Sequence, residues 1–179
     1  MKALLLACML ISLPAAAERV YLREADAAHE LFTRTATATR QLLELSDTER
    51  ADLSKAVGWR IDGKSYPYLE VRDTTGPVGM IFLLDVIGQS EPITFAVAVT
   101  RSGSIQGVRV MVYREAHGEQ IEAKRFHAQF VGKSAKDTLV LGKDIDAISG
   151  ATISSRSETI AVKKTLGLWN VIHQRSTRS

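Results

Sequence analysis

The stretch Asp146-Ala147-Ile148-Ser149-Gly150-Ala151-Thr152-Ile153-Ser154-Ser155 sets one carboxylate and several hydroxyls among very small neighbours. Ser155 and Glu158 have the spacing of a capping box, so a helix is predicted to begin just past Thr152, with its regular run from about Ser155 to Ile172. The first amides of a helix lack intrahelical acceptors, and the positive end of the macrodipole lies behind them. Gly150 and Ala151 leave little bulk in the way of an approaching group. A loop of this kind favours an anion, above all a phosphate, beside Thr152.

Other chemistries lack their parts. The histidines, His29, His117, His127 and His173, form neither an H-x-x-x-H pair nor H-E-x-x-H, so zinc hydrolysis has no support. There is no G-x-S-x-G elbow, Walker loop or G-x-G-x-x-G. The 179 residues carry 23 Lys plus Arg against 20 Asp plus Glu, a formal charge of only +3. Arg156, Lys163, Lys164, His173, Arg175 and Arg178 gather on the last helix and its tail, not on a basic face interleaved with aromatics. Nucleic acid is not an expected partner.

At the N-terminus, Lys2 precedes an apolar run from Ala3 to Leu13, then Pro14 and Ala15-Ala16-Ala17. This is the anatomy of a secretory signal peptide over residues 1–17. The run is shorter than the roughly 20 residues that cross a bilayer. A lipoprotein reading through Leu5-Leu6-Ala7-Cys8 is weaker, because few apolar residues precede Cys8 and several follow it. Cleavage after Ala17 removes Cys8, the only cysteine, and with it any disulfide, thiolate nucleophile, iron–sulfur cluster or c-type haem. Redox chemistry in such an exported chain requires a cofactor held another way.

Asp146-Ala147-Ile148-Ser149-Gly150-Ala151-Thr152 resembles the D-x-x-[ST]-G-A-[TS] flavinylation motif of the FMN-binding domain family, which includes the flavin-bearing subunits of the Rnf and Nqr redox pumps. The resemblance extends through Glu91-Pro92-Ile93-Thr94, Tyr113-Arg114-Glu115 with His117-Gly118, and Phe130-Val131-Gly132-Lys133, covering roughly residues 65 to 172. It implies FMN joined by a phosphoester to Thr152, placed there from FAD by a magnesium-dependent flavin transferase. It also implies a cofactor site that includes Asp146, Ser149, Gly150, Ala151, Ile153 and Ser154. Glu115-Ala116-His117-Gly118 matches only the first and last positions of the E-T-P-G segment near the flavin in the Rnf-like and Nqr-like members. Glu115 and His117 are therefore candidates, with His117 either a ring contact or a surface histidine. Arg114, Lys124, Arg125, Lys133 and Lys143 read as solvated charges, or as positive charge near the flavin. Asp146 reads as a loop cap, or as a group positioning the transferase's metal. Trp59 and Trp169 read as core.

The elements that must hold this loop are legible too. Arg23 to Phe32 suits a helix with Ala27, Ala28, Leu31 and Phe32 on one face, and Thr33 to Leu45 suits a strand. Ser46 and Glu49 form a capping box for a helix running to Val57 and stopping at Gly58. Tyr66–Arg72, Val78–Ile87, Ile93–Thr100 and Ile105–Tyr113 read as strands, joined by connections too short for parallel pairing. A helix from Glu122 to Phe130 follows, then the final one. The expectation is an α+β fold: a central antiparallel sheet flanked by helices, with an N-terminal segment over residues 18–64 and the FMN-binding domain over residues 65–179.

The function this implies is a periplasmic electron-transfer flavoprotein with a membrane or periplasmic redox partner. The alternatives are a flavin-dependent reductase subunit and a non-flavinylated module that binds an anion or a partner. The signal reading predicts that protein recovered from the periplasm begins at Glu18 or within a residue or two. N-terminal sequencing or intact mass checks it, and a lipid-modified Cys8 or a full-length membrane form overturns it.

Overall fold

The computed structural model of the chain describes residues 18–178, so the expected signal segment and Cys8 lie outside the described residues. Six strands form one sheet: β1 (Arg19–Val20), β2 (Thr37–Glu44), β3 (Ser65–Asp73), β4 (Gly76–Ile87), β5 (Pro92–Thr100) and β6 (Ile105–Tyr113). Their order is β1-β6-β5-β4-β3-β2, and every neighbouring pair is antiparallel. β3 to β6 form a meander because their turns leave no room for a crossover. The two-residue β1 was not foreseen; it has no periodicity to read, and pairing with Tyr113 and Val112 alone makes it a strand.

Helices cover both faces. α1 (Ala27–Leu31), led in by a 3-10 turn, lies on one side, where Ala27, Ala28 and Leu31 bury against Leu69, Val71, Ile81, Leu83, Ala96 and Ala98. α2 (Asp47–Val57) and α4 (Thr152–Arg178) cover the other side and form the larger core with Phe82, Leu84, Phe95, Val97, Val108 and Val110. The middle of β4 and nearly all of β5 are buried on both faces, which explains why the alternation in β5 is weak. Gly167 lets α2 pack closely on α4: a Cβ there would lie 2.1 Å from Leu53 Cδ1, so Leu53 would have to shift to admit it.

The Ser46 capping box is present, with Glu49 N–H donating to Ser46 Oγ and Ser46 N–H donating to Glu49 Oε2. Such a cap contributes about 1 kcal/mol. Gly58 ends the helix in the left-handed region at φ 69°. Glu49 also accepts Arg175 from the far end of α4, and that guanidinium, with the Ser46 amide, holds its carboxyl down at about 2.

The helix expected over Glu122–Phe130 is instead a 3-10 turn (Glu119–Glu122) and a short α3 (Lys124–Ala128), separated by Ala123 in an extended conformation. Packing dictates the break. It lets Phe126 and Phe130 meet edge to face in the core while His127 turns toward α4. His127 Nδ1 lies 2.9 Å from Glu158 Oε1, and both side chains are buried. Burial pushes the Glu158 carboxyl up despite His127, and burial likewise raises neighbouring Glu122. An acid raised in the folded state contributes stability below its unfolded value and loses it as pH climbs through the folded one. The protein should therefore lose stability as pH rises from the ordinary carboxylate range through the raised values. Glu158→Gln should flatten that slope while keeping a partner for His127, as denaturant titrations across pH would show.

Candidate functional site

The first turn of α4 is held from three directions by hydroxyls that leave its outer face open. Ser155 Oγ donates to Ala151 O at 2.9 Å and accepts Ile148 N–H at 3.1 Å, tying the motif loop to the helix. Ser154 Oγ lies 3.1 Å from the Tyr113 hydroxyl at the end of β6, and that hydroxyl donates in turn to the His117 carbonyl. Ser157 Oγ reaches the Ile87 carbonyl at the end of β4, at 2.9 Å, and the Ile153 carbonyl, at 3.1 Å.

The expected capping box at Ser155 is therefore corrected. The helix begins at Thr152, close to the expected start, but Ser155 does not cap it: Ser155 is buried inside its first turn, and Glu158 is committed to His127. The spacing was that of a cap, but tertiary burial of both side chains redirected them.

Ser155 N–H makes the first backbone bond into the helix, to Ala151 O at 2.9 Å, so the amides of Thr152, Ile153 and Ser154 precede it without helical acceptors. Behind them stand 27 residues of aligned dipoles. Thr152 is exposed at this end, and its hydroxyl has no hydrogen-bond partner among the described residues. The hydroxyls of Ser154 and Ser155 are both occupied and buried. Gly150, at φ 80°, makes the turn that brings the loop into the helix, and a Cβ there would meet open space.

Thr152, with Gly150, Ala151, Ile153 and Ser154, lines a cleft of about 260 Å³ whose other wall is Gln89, Glu115, His117 and Gly118. Glu115 is buried, and its oxygens accept Ser90 N–H at 2.8 Å, Glu91 N–H at 3.0 Å and the Ser90 hydroxyl at 3.0 Å. Burial pushes its carboxyl up, but these bonds outweigh burial and leave it below its ordinary value. Glu115 thus shapes the cleft by fastening the β4–β5 turn. His117 is exposed on the rim.

Asp146 and Ser149 do not line this cleft. Gln129 grips the Asp146 backbone on both sides, accepting its N–H at 2.8 Å and donating to its carbonyl at 3.1 Å, and Asp146 faces a separate hollow with Arg125 and Gln129. Ser149 is exposed in the turn just before Gly150. None of Arg114, Lys124, Arg125, Lys133 or Lys143 lines the Thr152 cleft. Arg114 instead joins Glu18 to the Pro92 carbonyl and Thr94, and Lys133 pairs with Asp137. A larger hollow of about 350 Å³ lies far down α4, around Trp169, Ile172, Met80, Arg72 and Arg101, and contains no motif residue. Sequence reasoning placed Tyr113 in the resembling segment but gave it no role at the site, and it gave none to Gln89. It also placed Trp59 in the core, whereas Trp59 is 41% exposed beside α4 with the Arg156 guanidinium over its ring.

The residues at Thr152 fit a phosphate-bearing cofactor: amides without helical acceptors, an accessible hydroxyl and small neighbours, with the one carboxylate of the cleft wall, Glu115, engaged by Ser90 and Glu91. Gly118 is the tightest part of this arrangement. At φ 92°, a Cβ would fall 2.8 Å from both Ser154 Oγ and the Tyr113 hydroxyl. Gly118→Ala should cost about 1–3 kcal/mol and displace the first turn of α4, seen as a lower melting temperature and faster amide exchange at residues 155–158.

Residues 88–167 match the family model of the FMN-binding domain. No curated protein matches the chain. Among solved structures, the crystal structure of Shewanella oneidensis NqrC superposes with a TM-score of 0.52 at 20% identity, over 79% of this chain and 82% of that one. At that identity the likeness speaks for the fold, and it includes the six-stranded antiparallel sheet with its flanking helices. The family match falls on the residues that build the cleft, from the β4–β5 turn through the first turns of α4, and it identifies residues 88–167 as an FMN-binding domain within a chain similar in fold to NqrC.

Proposed function

We propose that this chain is an exported electron-transfer flavoprotein carrying FMN through a phosphoester to Thr152. One observation carries the reading: within the matched domain, the exposed Thr152 hydroxyl has no partner and stands among amides that lack acceptors. Attachment by a flavin transferase breaks the pyrophosphate bond of FAD and forms the ester at Thr152 Oγ1, with release of AMP and the hydroxyl proton. The amides of Thr152, Ile153 and Ser154 donate to the phosphate, and the dipole of α4 offsets its charge. Ser155, Ser154 and Ser157 keep the turn rigid, so little order need be gained on attachment. Bound FMN supplies reversible uptake and release of electrons; the protein supplies attachment, orientation and electrostatics. Export follows from the signal-like first seventeen residues, and a covalent link prevents loss of the cofactor outside the cytoplasm. The partners in this reading are the transferase, for maturation, and a membrane or periplasmic redox protein.

Thr152→Ala and Thr152→Val should abolish covalent flavin and leave the fold near intact, because an ester needs the oxygen. Thr152→Ser should retain part of the loading. Ser149→Ala and Ser154→Ala are the controls. In-gel flavin fluorescence after denaturation, with each variant co-expressed with a flavin transferase, reads the result. Undiminished fluorescence in Thr152→Ala, or loss only in Ser154→Ala, moves the attachment elsewhere. An unlabelled wild type with an active transferase favours the flavin-free module.

A further inference from the structure

The outer side of the first α4 turns carries a strip that the fold leaves uncovered. Ile87 is 64% exposed and Ile153 47% exposed. Their backbones abut, since Ser157 Oγ reaches both carbonyls within 3.1 Å. Exposed Arg156 lies three residues beyond Ile153 and four beyond Thr152, on the same flank of the helix. Its guanidinium carbon sits 5.1 Å from the centroid of the Trp59 ring. Arg40, Arg50, Arg60, Arg109, Arg114 and Arg175 each meet a carboxylate, whereas Arg156 is held by an aromatic face, and no carboxylate pairs with it among the described residues. Its charge is thus fixed in position but not neutralised.

We infer that Ile87, Ile153 and Arg156 form the seat of the flavin ring, with Trp59 positioning Arg156. The inference rests on attachment at Thr152 and adds where the ring lies and what tunes it. A planar, largely apolar ring tethered one helical turn from Arg156 meets exposed aliphatic surface first, and the guanidinium borders it. Reduction adds negative charge to the ring, which a nearby unneutralised cation favours, so Arg156 raises the potential. Trp59 precedes the matched domain in the chain, at the end of the helix that packs on α4, so this part of the seat is supplied by the N-terminal segment.

The test uses full-length protein co-expressed with a flavin transferase, with loading checked separately by in-gel fluorescence. Arg156→Gln should load as wild type does and show a more negative midpoint potential in redox titration, with Arg156→Lys partly restoring it. Trp59→Leu should shift the potential in the same direction by less. Trp169→Phe, which leaves Trp59 as the only tryptophan, should lose most of its indole emission on flavin loading. Trp59→Phe should lose less, because Trp169 stands about 25 Å farther along the helix. Equal loading with an unchanged potential in Arg156→Gln, or equal quenching of the two tryptophans, overturns the seat and leaves attachment standing. Reduced loading of Arg156→Gln at an unchanged potential assigns Arg156 to the phosphate and also overturns it. Absence of covalent flavin in the wild type defeats the attachment itself.

Discussion

A helix terminus whose first amides stay without acceptors must be held against fraying by other bonds. This chain meets that constraint with buried hydroxyls. Ser155 pins the preceding loop, Ser154 pins the end of β6 through Tyr113, and Ser157 pins the end of β4. None of these bonds uses the Thr152 hydroxyl, so anchoring and availability do not compete. The sheet then serves as a frame whose β4–β5 turn and β6 end meet at the N-terminal end of α4.

The frame is stiff where the site touches it. Glu115 closes the β4–β5 turn with a buried carboxylate that accepts two backbone amides and a hydroxyl, and a Cβ on Gly88 would lie 2.4 Å from its oxygen. Gly118 lets the chain pass against Ser154 and Tyr113. Losing any of these leaves a buried polar group without its partner, which costs about 1–3 kcal/mol. Farther along α4, the His127–Glu158 pair locks α3 in place at the cost of a desolvated acid. Protonation is thereby coupled to how firmly the segment before the motif is held.

The division of labour along the chain also accounts for the distribution of charge. Most surface cations sit on carboxylates or project into solvent away from the cleft, and the modest net charge leaves no broad basic field. Within the cleft that Thr152 lines, which no Lys or Arg borders, the helix dipole and open amides supply the positive potential, acting within the first turn of the helix.

Local chemistry was enough for much of this protein. The Ser46 box and the Gly58 stop bounded α2, turn residues separated the strands of the meander, and small residues with hydroxyls marked the loop before α4. These features need only neighbours in sequence, so the α+β fold and the loop that leads into α4 were legible. What depended on distant groups was not. Ser155 and Glu158 have the spacing of a cap, but burial against the motif loop and His127 gave them other partners. That Glu115, besides lining the cleft, fastens the β4–β5 turn shows only once that turn folds onto it, and Trp59 reads as core until Arg156 meets it at the surface. The strand β1 exists only because β6 offers an open edge. In each case the deciding energy is desolvation or pairing between residues far apart in the chain, and only the tertiary structure brings those partners together.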